Sequence, residues 1–318
     1  MSRGHFIGLN HHRLMLADSE RMARYREAIG LQVKPGMRVM DLGTGTGILA
    51  LWAAQAGAEV VAVEPHEVIS VAKAVAAHND LAGRITFIQG DARDIELEGP
   101  VDLVITECMG NFFVTDEMQP VLRDLPRHMA PCALTIPRRI GLHLAAATLP
   151  LWRELAFWDE PVGGLDFGPA RAFAHQSAYV IACEPEFVSA GPSVLEEFSL
   201  TEAPDELMMS TQMEVTRAVT LHALVGWFDA DLGEGITLST RPGVRTHWGQ
   251  MAFPLPATAV RPGDLIDVQV CLSMDAELRS YYIWSGRIVR PGHPEGDVSF
   301  ARDTRNRFGA LLEADKPA

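Results

Sequence analysis

Two acid-bearing loops carry the chemistry open to this sequence. The first is Val39-Met-Asp41-Leu-Gly43-Thr-Gly45-Thr-Gly47-Ile48, a β-type run that ends near an acid, turns on glycines and opens a helix. Glycines let backbone approach a ligand closely, and the start of a helix offers it unpaired N–H groups. The spacing is G-x-G-x-G with an acid two residues earlier, one residue short of the dinucleotide fingerprint. Glu64 ends the run VVAVE, where an acid can accept both hydroxyls of a ribose. Asp91, in GDARD, follows the next run and is placed to meet an adenine amino group. The second loop is Thr106-Glu107-Cys108-Met109-Gly110, with Asp116-Glu117 beyond it. An acid at a strand's carboxyl end lies in the crevice where open α/β sheets bind ligands. Glu107 and Asp116, nine residues apart, can converge on one cation, and a planar guanidinium pairs with carboxylates bidentately. Asp116 and Glu117 read equally well as favourable acids at the start of the next helix.

These residues need a frame. Between Met37 and Pro137 the β-type runs RVMDL, EVVAVE, ITFIQG and VDLVITE alternate with helical stretches, which implies right-handed βαβ units on a parallel sheet. After Pro137 the alternation stops. GLHLAAATL, SAYVIACE, TRAVTLHALVGWF, LIDVQVCLS and YYIWSGRIV follow, punctuated by Arg-Pro-Gly turns, as in an antiparallel β-domain. The chain thus divides into a helical segment (1–35), a parallel-sheet unit (36–137) and a β-unit (138–318). Within the β-unit, residues 151–176 form an aromatic, Gly/Pro-broken excursion.

A length of 318 residues suits two domains, and 47% hydrophobic with 21% charged residues is globular composition. The net charge of -14 argues against an extended nucleic-acid surface and fits a cationic partner. No apolar run reaches the length of about 18 residues expected of a membrane span, and no signal segment opens the chain. Cys108, Cys132, Cys183 and Cys271 lack metal or redox spacing and read as four buried free thiols, which suits a cytoplasmic location.

The glycine loop with its two following acids resembles the class I S-adenosylmethionine-dependent methyltransferases. That resemblance implies that Asp41 supports the loop beneath the methionine, that Gly43 and Gly45 pass beside it, and that Glu64 holds the ribose. Three further stretches narrow it: His12-Arg-Leu-Met15-Leu16-Ala-Asp18-Ser-Glu-Arg21, Glu107-Cys-Met-Gly110 and Thr246-His247-Trp248. Together they are similar to the protein arginine N-methyltransferases, over nearly the whole chain. The fold so implied is a Rossmann-like parallel-sheet methyltransferase domain followed by an antiparallel β-barrel domain. Residues 151–176, with Trp158 and Gly163-Gly-Leu-Asp-Phe167, would be its helical dimerisation arm, and the particle a homodimer. The resemblance further implies that Arg21 clamps the cofactor carboxylate and that His12 lines its pocket. Asp18 and His247 would join the two domains as a dyad. Glu107 and Asp116 would grip the substrate guanidinium, with Met15 and an aromatic wall of Trp248 around it.

The sequence departs from that family in four places. No tyrosine precedes Tyr25; Ser2 and Phe6 stand where the family carries its two tyrosines, so one substrate-closing hydroxyl is missing. The second loop acid is Asp116 or Glu117, and Cys108 replaces a tryptophan. The family's adenine-contacting acid falls on Arg93, so Asp91 is expected to take that role beside Ala92, with loss of Arg93 nearly silent. The expected function is therefore methyl transfer from S-adenosylmethionine to a guanidino nitrogen of free arginine, an arginine-derived metabolite or a peptide or protein arginine. Two other readings stand beside it: an inactive cofactor-binding scaffold, and a methyltransferase with a non-guanidino acceptor.

Overall fold

The computed structural model describes residues 8–113, 118–149, 155–204, 206–274 and 280–307. Helices α1 (Leu9–Ala17) and α2 (Ser19–Gln32) come first, separated only by Asp18. Asp18 is extended at φ -73°, ψ 95°, and its side chain accepts the Arg21 N–H, which caps α2. The parallel unit then runs β1 (Arg38–Leu42), α3 (Ile48–Gln55), β2 (Glu59–Glu64), α4 (Ile69–His78), β3 (Ile85–Gln89) and β4 (Val101–Thr106). After α5 (Met118–Asp124), β5 (Met129–Ile136) completes a five-stranded parallel sheet in the order β3-β2-β1-β4-β5. Val39, Met40, Asp41 and Leu42 are all buried, as expected of a central strand covered on both faces.

That strand order places the site. The chain walks outward from β1 to β3, then returns to β4 on the other side of β1. Loops after β1 and β4 therefore splay apart at the carboxyl ends and leave a crevice between them. The two acid-bearing loops are these two.

The rest of the chain is antiparallel. One sheet has the order β7 (Tyr179–Ile181), β12 (Gln250–Val260), β10 (Val219–Asp231), β6 (Arg139–Ala147), β8 (Val188–Ser199), with β11 (Thr237–Ser239) on β10. A second contains β15 (Val298–Asp303), β14 (Ser280–Val289), β13 (Leu265–Met274) and β9 (Leu207–Glu214). The two sheets enclose the barrel core, where Trp284 is fully buried, donates to the Pro254 carbonyl at 2.9 Å and packs on Phe253. One apolar core runs without a break from Tyr25 in α2 to Phe300 in β15. The sequence boundary near Pro137 thus marks a change of topology and not a gap in packing.

In the described part of the excursion, helix is confined to residues 155–156, the turn Phe157–Asp159 that continues them, and Gly168–Ala174. Its residues Phe157, Leu165 and Phe167 are exposed. None of the four cysteines is in a disulfide, and not all are buried. Cys132 is exposed on β5, an edge strand of the parallel sheet, at φ 68°, and Cys108 is half-buried. Cys132 falls between Met129 and Leu134, where the β4–β5 pairing breaks register and the regular alternation is lost. Among the described residues no helix is long and apolar enough to cross a membrane.

Candidate active site

The loop after β1 is hung from β2. Gly43 and Thr44 both donate backbone N–H groups to the Val63 carbonyl at 2.9 Å. Gly43 and Gly45 have φ of +74° and +54°, and a Cβ on Gly45 would stand 2.9 Å from the His12 ring. A Cβ on Gly43 would collide with Cys108 Sγ. Only glycine lets the loop lie this close to both neighbours. Asp41 is wholly buried below it, and its Oδ2 accepts from Thr44 Oγ1 at 2.6 Å and Ala50 N at 3.0 Å. Burial pushes its carboxyl up to about 6 against the pull of those bonds, and Oδ1 has no partner. Glu64, at the end of β2, accepts from Gly45 N at 3.0 Å and His66 N at 3.1 Å. His12 is buried against the loop, and that burial, with His11, Arg21 and His66 nearby, holds its pKa below the usual value.

Across the crevice, Glu107 Oε2 accepts from Arg21 Nε at 2.8 Å and Nη2 at 2.5 Å. The two side chains are 4% and 6% exposed. Burial alone would lower the Arg21 pKa, but Glu107's charge outweighs it and the net shift is upward. No bond among the described residues falls on Oε1 of Glu107. Tyr25, fully buried, donates to the Thr106 carbonyl at 2.9 Å and pins α2 to the end of β4. Burial pushes the Cys108 thiol up to about 12, so it stays neutral.

The barrel supplies the third wall. Asp18 Oδ2 meets both His247 Nδ1 at 2.9 Å and His247 N at 2.8 Å. Burial pushes the Asp18 carboxyl up, but the bonds from His247 and the Arg21 N–H outweigh it and hold it below the usual range. Trp248 is only 3% exposed and donates Nε1–H to the Met109 carbonyl at 2.7 Å. The Asn111 amide returns the contact by donating to the Trp248 carbonyl. Trp248 thus serves less as an exposed aromatic wall than as a pin between the barrel and the Glu107 loop.

These walls bound a cavity of about 710 Å³. His12, Met15, Gly43, Gly45, Glu64, Asp91, Ala92, Arg93, Glu107, His247 and Trp248 all line it, while Asp18, Arg21 and Asp41 stand behind. Arg21 therefore does not present a free fork to a cofactor carboxylate; its fork is spent on Glu107. Asp91 is likewise not free. Its Oδ1 accepts from Arg93 N and Nε, both at 2.9 Å, and its Oδ2 pairs with Arg93 Nη2. Arg93 holds the Asp91 carboxyl below its ordinary value. Asp116 and Glu117 lie outside the described residues. Sequence reasoning missed His66, Asn111 and Tyr282 in the lining. His66 alone had a signal, two residues beyond Glu64.

The residues fit S-adenosylmethionine: the glycine cradle and the Glu64 carboxylate line the cavity, and Asp41 props the loop from behind. Comparison with known proteins agrees. Residues 39–132 match a methyltransferase domain model, and residues 141–282 match the arginine methyltransferase oligomerization subdomain. Protein arginine N-methyltransferase 1 of Schizosaccharomyces pombe is 35% identical over 76% of this chain and 75% of its own. Protein arginine N-methyltransferase PRMT10 of Oryza sativa subsp. japonica is 31% identical over 85% and 82%. Among solved structures, Arabidopsis thaliana protein arginine methyltransferase 10 superposes with a TM-score of 0.83 at 26% identity, covering 93% of this chain and 97% of that one. A Trypanosoma brucei PRMT1 enzyme–prozyme complex with AdoHcy shares the fold at a TM-score of 0.84 and 24% identity, over 95% and 99%. The chain belongs to the protein arginine N-methyltransferase family. It is an S-adenosylmethionine-dependent arginine methyltransferase, built as a Rossmann-like domain and a β-barrel domain.

Arg21→Ala leaves Glu107 charged, buried and alone. Breaking a buried pair in this way costs about 3–5 kcal/mol. Denaturant unfolding of Arg21→Ala against wild type is expected to show a loss of that size, and a loss under 1 kcal/mol, on the scale of about 0–1 kcal/mol typical of exposed pairs, would contradict a dry ion pair.

Proposed function

We propose that this chain methylates a guanidino nitrogen of arginine held in a protein or peptide, with Glu107 as the anchor of the substrate guanidinium. The observation that carries this is the Glu107 carboxylate itself. It lines the cavity, one oxygen already accepts a guanidinium fork from Arg21, and the other has no partner among the described residues. S-adenosylmethionine supplies an electrophilic methyl group. The protein's part is then alignment, because the attacking nitrogen need only be held in line. Arginine stays protonated in water, so a carboxylate on the far nitrogens draws charge away from the attacking one. The departing proton has two acceptors at the wall: Glu107, and His247 backed by Asp18. With Nδ1 donating to Asp18, Nε2 of His247 is left as an acceptor. The relatives' names support a protein-borne arginine over free arginine.

We also infer a homodimer. Leu9, Leu14 and Leu16 on α1 and Phe157, Leu165 and Phe167 on the excursion are exposed apolar side chains of the kind a second copy covers. The match to an oligomerization subdomain supports this. Leu165→Glu with Phe157→Glu is expected to halve the particle mass in sedimentation; an unchanged mass would contradict the arm's role.

Glu107→Gln tests the anchor. Losing one partner of a buried charged contact costs about 2–5 kcal/mol, so kcat/KM should fall by at least about thirtyfold while S-adenosylhomocysteine still binds in calorimetry. Near wild-type turnover would point instead to a non-guanidino acceptor. Product mass spectrometry on free arginine, Arg-rich peptides and cell lysate is expected to find methylated guanidine in the last two; methylation of free arginine alone would overturn the protein-borne reading.

A further inference from the structure

Phe112 belongs by chain to the loop after β4, yet its side chain is fully buried in the barrel. It packs edge-on against Phe253 of β12, with ring centroids 5.7 Å apart. Beneath the ring lies Gly226, in the middle of β10 and paired with Leu144 and Met251 on its two sides. A Cβ on Gly226 would stand 2.8 Å from Phe112 Cε2 and 3.0 Å from both Cδ2 and Cζ. Gly226 is not among the residues with positive φ, so no backbone torsion demands glycine there. Glycine inside a strand gives up side-chain packing and marks close approach by another group. Here the group is the Phe112 ring.

We propose that Gly226 and Phe112 are a positioning pair that sets where the Glu107 loop stands against the barrel, a role that rests on Glu107 as the guanidinium anchor. The ring's seat is passed to the loop through a tight hairpin. Gly110 N donates to the Phe113 carbonyl at 3.0 Å and Phe113 N returns to Gly110 at 3.1 Å, with Phe113 at φ 67°. Next to that hairpin, the Met109 carbonyl takes the Trp248 Nε1–H, and Glu107 lies two residues before it. Lifting the ring therefore lifts the hairpin, loosens the Trp248 pin and moves the carboxylate relative to the cavity. The cofactor loop meets the Glu107 loop at Cys108, beside Gly43, but is held by its own two bonds to Val63 on β2, so the larger movement falls on the carboxylate.

The test is Gly226→Ala in the full chain, read by kcat, by S-adenosylhomocysteine affinity in calorimetry and by hydrogen exchange of the Gly110 and Phe113 amides. The added methyl is expected to lower kcat at least tenfold, speed exchange at both amides, and leave the affinity within twofold. Phe112→Leu in the same chain makes room for the methyl and should restore both amide protection and most of kcat. Gly141→Ala on the neighbouring β6, where the nearest contact would be 3.3 Å from the His143 ring, should behave as wild type. If Gly226→Ala does not fold, Phe112→Ala empties the seat from the other side and should give the same kcat loss at unchanged affinity. Wild-type kcat in Gly226→Ala or Phe112→Ala, joint loss of affinity and kcat, or no rescue by Phe112→Leu would each overturn the proposal. A wild-type protein that makes no methylated guanidine would defeat the functional reading separately, because amide exchange still reports the seat.

Discussion

A carboxylate and a guanidinium, each almost wholly removed from water, hold one another at the wall of the cavity, and much of the structure follows from keeping Glu107 and Arg21 together. Either charge alone in that place would carry a desolvation penalty of several kcal/mol. The pair is tolerable only because two distant segments arrive together within hydrogen-bonding range, at 2.5 and 2.8 Å. Helix α2 brings Arg21, and β4 brings Glu107. Tyr25, one turn along α2, ties the helix to the last carbonyl of β4, and Asp18 fixes where the helix begins. No bond among the described residues falls on the second oxygen of Glu107, which the proposed function assigns to the substrate guanidinium. In that proposal one of the protein's own arginines holds the acid meant for another.

The barrel completes the site by two short connections to these same segments. His247 reaches the Asp18 cap, and Trp248 reaches the Met109 carbonyl. Each joins the barrel loop to a different piece of the crevice, so the three walls cannot move independently. The continuous apolar core argues the same way. What separates the two units is topology: a parallel sheet whose switch point opens a crevice, and an antiparallel barrel that closes it.

Much of this was legible in the residues. The strands of the parallel sheet, the glycine loop over Asp41, Glu64 at the end of β2 and Glu107 at the end of β4 all follow from local pattern and from the rule that α/β sheets bind ligands at strand ends. What escaped depends on where side chains turn. Arg21 reads as a clamp for a ligand until its partner is known, and that partner lies 86 positions away. Trp248 reads as a wall until its indole N–H is seen to end on a carbonyl. Asp91 and Arg93 sit two apart, so the turn that carries them lets them pair with each other. Cys132 reads as buried because its segment is apolar, but it sits at φ 68° where the β4–β5 register breaks. Tyr282 joins the lining from β14 with no motif to mark it.

In the proposed function, the wall holding Glu107 delivers an arginine guanidinium to the methyl donor. Tandem mass spectrometry of an arginine-bearing peptide, after incubation with isotopically labelled S-adenosylmethionine, tests it most directly. The label is expected to fragment with the guanidino group of arginine. Label found on lysine, histidine, a carboxylate or the amino terminus, with arginine unlabelled, would contradict it.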